Sequence, residues 1–167
     1  MTIEMNEIRA ALDAAIAAND ATDLERLLTD HAYLPGGEPN FALIEGFAAQ
    51  VGAVVAAPNP PETFLEALLD GWAALSPAAV PNDNPRAILP AAAARSYGAV
   101  AAARPEWWSA EVGKLECCAA DPRPLVRQNV VRALNDARPL ADAVAAQGDP
   151  AARIAAVTKQ LEASETA

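Results

Sequence analysis

A chain of 167 residues with 53% apolar side chains has enough apolar matter for one core and too much for a disordered polymer. Much of that fraction is alanine and only 5% is aromatic, so helices packed through small side chains are expected rather than strands. A net charge of −10 disfavours nucleic acid and anionic membrane as partners, and no apolar run reaches the ~18 residues of a membrane span.

The N-terminus is acidic and lacks the basic-then-apolar order of a secretion signal. Ile8, Leu12 and Ile16 then recur at four-residue spacing, which predicts an amphipathic helix over Ile3 to Ala18, ended by Asn19-Asp20. Asp20-Ala21-Thr22-Asp23 supplies N-cap candidates for a second helix through Leu24, Leu27 and Leu28. His31 falls near its end, where it suits the helix dipole; no nucleophile and base set is readable around it.

Leu34-Pro35-Gly36-Gly37-Glu38-Pro39-Asn40 reads as a loop. A third helix runs from Phe41 to about Ala57, with Phe41, Ile44, Phe47, Ala48 and Val51 on one face, until Pro58-Asn59-Pro60-Pro61 stops it. A fourth spans Glu62 to Leu75, with Phe64, Leu65, Leu68, Leu69 and Trp72 as its stripe.

The loop from Ser76 to Pro85 is where the charge balance shifts. Residues 1–85 carry 13 acidic side chains against Arg9 and Arg26, a net −11, whereas residues 86–167 carry 10 basic and 9 acidic ones, a net +1. The stretch from Arg86 to Arg138 therefore has the means for a local basic face.

A helix from Arg86 to Ala103 holds Pro90 in its first turn, and Pro105 stands at the N1 position of the next, Glu106 to Ala120. There Trp108 aligns with Val112, Leu115 and Ala119 as core. Trp107 lies about 100° around the helix, with Glu111 and Lys114 at the boundary, as a core edge or a binding anchor. The vicinal pair Cys117-Cys118 is poorly placed to bridge, so free thiols are expected, Cys118 inward and Cys117 partly exposed. Helices over Arg123 to Asn135, near Pro139 to Ala146, and from Pro150 to about Ala163 complete the chain.

Asp121-Pro122 recurs as Asp149-Pro150 28 positions later, and Val130 and Leu134 have counterparts in Val157 and Leu161 after 27. Asp121-Pro122-Arg123-Pro124-Leu125-Val126-Arg127, leading into Val130 and Leu134, resembles the second helix of a HEAT repeat. Tyr33 to Asn40 followed by a helix resembles a motif of small bacterial HEAT-like proteins. The resemblance implies an all-α fold, a right-handed stack of helical hairpins forming an α-solenoid of eight or nine helices. It implies one domain over 1–167, with acidic N-terminal helices at 1–75 and HEAT-like repeats at 86–163.

It also implies that Arg127 pairs structurally with an Asp at the turn, Asp121 or Asp149, while Arg123 and Arg132 stay freer. The expected function is a non-catalytic adaptor in the cytoplasm that binds another protein through Trp107, Arg123, Arg132 and the loop from Leu34 to Asn40. A HEAT-like DNA-binding or glycosylase-type enzyme is the first alternative, and a self-contained or homo-oligomeric subunit the second. No cofactor is expected. One histidine and a vicinal cysteine pair do not make a zinc site, the His-Glu pairs of a di-iron site are missing, and no phosphate-binding loop is present.

Overall fold

The computed structural model describes residues 2–166, which hold eight α-helices and no strand. They are α1 (Met5–Ala18), α2 (Thr22–Asp30), α3 (Phe41–Ala56), α4 (Glu62–Ala73), α5 (Ile88–Ala103), α6 (Trp108–Ala119), α7 (Pro124–Ala137) and α8 (Pro150–Thr166).

Local chemistry sets most of their ends. Glu4 and Glu7 form a capping box at α1, and Asn19, at φ 52°, closes it in the left-handed conformation that Asn tolerates. Asp20 accepts from the Thr22 amide and hydroxyl ahead of α2. Asn40 accepts from the Leu43 amide at the start of α3. Pro124 and Pro150 are each the first residue of their helix, where a missing N–H costs nothing.

The helix expected near Pro139 to Ala146 is replaced by two single 3₁₀ turns, Arg138–Leu140 and Ala145–Gln147. Pro139 has no N–H to extend α7, and Val144 is the one buried side chain of that stretch, so nothing repays a longer helix. Pro90 sits in the first turn of α5 as expected, with a 3₁₀ turn at Pro85–Ala87 ahead of it.

Helix α5 decides how the rest packs. It is apolar over most of its circumference, and twelve of its residues from Ile88 to Ala101 are buried, so it needs protein on all but the stripe of Arg95, Ala99 and Ala102. It meets α3 and α4 on one side, α6 and α7 on another, and touches α2. Alanine makes this possible by letting backbones approach. The closest approach is at Gly98, where an added Cβ would stand 2.5 Å from the Ala133 carbonyl oxygen and 2.6 Å from its Cα. Beyond α5, α1 packs on α2 and α3, and α6 packs on α7 and α8.

Half-buried arginines and a buried tryptophan tie the layers. Arg95 of α5 bonds Glu45 of α3 at 2.8 Å and Asp136 of α7 at 2.6 Å. Arg104 donates to the Val55 and Ala57 carbonyls, satisfying the C-terminal end of α3. Trp108 donates its indole N–H to the Ala137 carbonyl at the end of α7.

Candidate functional site

Helices α4, α5 and α6 leave a small cleft of about 110 Å³ between them, lined also by Val55 of α3. Periodicity puts its walls there. Trp107, Glu111 and Lys114 follow one another at four and three residues and share a face of α6 and its opening turn. Glu62, Leu65, Glu66 and Leu69 do the same along α4. Val100 is the residue of α5 that lines it. Arg104 holds Trp107 in place, with its guanidinium 5.7 Å from the indole centroid while its nitrogens cap α3.

The polar end of the cleft is organised around one ammonium. Lys114 Nζ lies 3.2 Å from Asp70, 3.5 Å from Glu111 and 3.6 Å from Glu66, and 5.3 Å from the centroid of the Tyr97 ring. Tyr97 donates its hydroxyl proton to Asp70 at 2.7 Å. Three carboxylates thus face one cation. Burial and the neighbouring negative charge have a visible effect on Glu111, whose side chain is 9% exposed. Burial first, then the charges of Asp70 and Glu66, push its pKa up to about 7 against the opposing pull of Lys114. On Lys114 burial works the other way, but the carboxylates outweigh it and raise its pKa.

On the far side of Lys114 a more open hollow runs past Asp70, Tyr97 and Cys118 to Asp121. Burial pushes the Cys118 thiol up to about 12 and the Tyr97 hydroxyl higher still, so neither ionises near neutrality to act as a nucleophile. Cys118 is buried and Cys117 exposed, both as free thiols, as their helix positions imply.

Of the residues read as a binding face, Trp107 is half-buried and lines the cleft. Arg132 is half-exposed but occupied elsewhere, 4.2 Å above the Phe41 ring and 3.5 Å from Glu45, which ties α7 to α3. Neither Phe41 nor Glu45 lines the cleft, so the fold does not bring Arg132 to Trp107. Leu34 is partly buried against the core, beside a cis peptide bond to Pro35.

Two of these expectations are corrected. Arg123 is not a free surface cation; only 3% of it is exposed. It pairs through two bonds with the Asp121 carboxylate, at 2.9 and 2.6 Å, and donates to the carbonyls of Val80 and Leu75. It therefore fastens the loop between α4 and α5 to the turn before α7. Asn40 is 8% exposed and bonded at both ends, its oxygen to the Leu43 amide and its nitrogen to the His31 carbonyl. Both are polar residues whose partners lie far away or on the backbone, which residue type alone does not reveal.

The Asp121–Arg127 tie exists in a different form. Arg127 donates to the Asp121 main-chain carbonyl at 2.9 Å, because Arg123 occupies the carboxylate. Asp149 caps α8 through the Ala152 amide. His31 packs at the end of α2 with Nδ1 2.9 Å from the Leu27 carbonyl. No group of three or more His, Cys, Asp or Glu side chains among the described residues has the arrangement of a metal site. No helix among them is long and apolar enough to cross a membrane.

Glu62, Glu66, Asp70 and Tyr97 were missed from sequence. The acids at 62, 66 and 70 do carry a signal, a four-residue spacing alongside Leu65 and Leu69, but an acidic stripe on a helix usually means only a solvated face. Comparison of the chain with family models, with curated proteins and with solved structures returns no match.

Proposed function

We propose that this chain is a non-catalytic protein–protein interaction module, and that its docking seat is the cleft around Trp107. One observation carries the reading. A half-buried tryptophan held by Arg104 lines a largely apolar cleft with an ordered charged end, which is the make-up of an interface anchor site. Around it, among the described residues, no nucleophile stands ready beside a base, since burial keeps both Cys118 and Tyr97 protonated.

The HEAT-like stack is part of the same proposal. What supports it is the order of neighbours. Helices α1, α3, α5 and α7 each pack on the next of the series, and α6 packs on α8, as successive hairpins do when stacked. The repeat pairs Val130 with Val157 and Leu134 with Leu161, and all four are buried. Two free cysteines suit the cytoplasm. The nucleic-acid alternative loses its support, because Arg95, Arg104, Arg123 and Arg127 are spent on internal bonds and do not line a groove.

The test is affinity capture from a native lysate with the wild type, Trp107→Ala and Arg132→Ala, each confirmed as folded by circular dichroism. A protein retained by wild type and Arg132→Ala but lost from Trp107→Ala, an affinity drop of about 30-fold or more, is the expected result. Equal recovery on Trp107→Ala would remove the cleft as the seat.

A further inference from the structure

The charge of the cleft is unbalanced, and the imbalance has a direction. Glu66, Asp70 and Glu111 share the single ammonium of Lys114, and Glu62 adds a further carboxylate to the wall without an opposing cation there. Lys114 cannot serve as a receptor for an anion, because acidic oxygens already face it from α4 and α6. What the cleft lacks is a second positive charge. Beside the exposed carboxylates of Glu62 and Glu66 the lining is apolar, through Leu65, Leu69, Val100 and the Trp107 indole, so a cation carried on an aliphatic stem meets both kinds of surface at once.

We propose that the cleft takes a lysine side chain of a partner protein, its methylene stem against Trp107 and Leu69 and its ammonium among Glu62, Glu66 and Glu111. This rests on the reading of the cleft as a docking seat and names the chemistry of the partner. Lysine fits better than arginine on geometry. Three carboxylates from two helices each meet the resident Lys114 Nζ through a single contact of 3.2 to 3.6 Å, without the paired bonds that the Asp121 carboxylate makes to the Arg123 guanidinium. The volume, about 110 Å³, also suits one unbranched side chain. Charge complementarity extends past the cleft, since α4 belongs to the half of the chain that carries the net −11.

The buried Glu111 gives the site a pH response. Its neighbours are Glu62, Glu66 and Asp70 of α4, Tyr97 of α5 and Lys114 of its own helix; four are acidic or neutral and one is cationic. Glu111 holds a proton up to about 7 in the empty cleft, and a bound ammonium takes the place of that proton. Binding therefore strengthens as pH rises from 6 to 8.

The probe is n-butylammonium, with n-butanol and n-butylguanidinium as controls, titrated into the full chain while the Trp107 indole resonance is followed by NMR. The expected outcome is a saturable shift with butylammonium, about tenfold weaker with butanol and with butylguanidinium, and weakened about fivefold or more in Glu111→Gln. A butanol or butylguanidinium response equal to that of butylammonium, an unaffected Glu111→Gln, or no saturable shift would overturn the proposal. A second arm acetylates the lysines of the lysate before capture. Loss of the Trp107-dependent protein is expected; its retention would overturn the lysine assignment and, with butylammonium binding intact, give the site to a free amine. Butylammonium binding alongside capture that ignores Trp107→Ala would sink the docking reading while the ammonium site stands.

Discussion

Arg123 and Glu111 are both buried charges, and their surroundings send them in opposite directions. Arg123 has every contact it needs, a paired carboxylate and two carbonyls, so its charge stabilises the turn it sits in. Arg123→Ala strips the Asp121 carboxylate of its guanidinium, leaving it only the main-chain amide of residue 123, and frees two carbonyls, at a cost of about 3–5 kcal/mol in denaturant unfolding. A melt unchanged within error would show that the network is not structural. Glu111 is under-supplied. Its pKa is raised from the ordinary 4.5 in the unfolded chain to about 7 in the folded one, so folding takes up a proton between those values. The contribution of Glu111 to stability is therefore fully present below about 4.5 and is lost as pH rises through that window, by up to about 3 kcal/mol. Glu111→Gln should flatten the fall in Tm between pH 5 and 8 and be the more stable protein at pH 8. Glu45 cannot mask this. Burial opposes its ionisation, but Arg95 and Arg132 outweigh it and lower its pKa, so its contribution is lost only at more acid pH.

Among the helices, Gly98 of α5 and Gly52 of α3 show which contacts have room and which do not. Gly98→Ala forces a methyl group into the Ala133 backbone, and two helices must separate, at a cost of about 1–3 kcal/mol. Gly52→Ala on α3 meets Ala99 Cβ at 3.5 Å, an ordinary contact, and removes a poor helix former; it should stabilise by up to about 1 kcal/mol. Paired thermal melts check both signs at once. From sequence the two glycines are equivalent, each inside an apolar helical run. The helices themselves were legible because capping residues and 3.6-residue periodicity act locally, as at Asp20 ahead of α2 and Pro105 in the 3₁₀ turn that leads into α6. The short helix near Pro139 was misread because its propensity is adequate and its failing is tertiary. One buried side chain, Val144, does not hold a helix against the core.

Taken as a whole, the molecule has no seam at residue 85. The shift in charge there invites a division, but α5 is sandwiched between α3 and α4 on the N-terminal side and α6 and α7 on the other. A fragment of residues 86–167 should accordingly lose cooperative melting, because α5 would expose the face that α3 and α4 cover. In the intact chain, amide exchange should be slowest in α5; exchange in α5 as fast as in α8 would contradict its place at the centre. The basic residues of the C-terminal half also look different at this scale. They are mostly internal ties between layers, which leaves the acidic N-terminal helices to dominate the field that a partner meets.

The sequence by itself determined the helical class, most helix ends and the core faces, because those follow from alanine content, caps and the apolar period. It also placed Trp107, Glu111 and Lys114 on one face, since that relation is internal to one helix. Only the tertiary structure decided that Glu62, Glu66, Asp70 and Tyr97 meet that face, and that Arg123 is buried rather than presented. Those facts depend on which helices come together across distant stretches of chain, 17 positions for Tyr97 and Lys114, 44 for Asp70 and Lys114, and 48 for the Arg123 bond to Leu75. No local pattern carries that information, because a charged side chain has the same propensity whether its partner is solvent or a carbonyl from a distant loop.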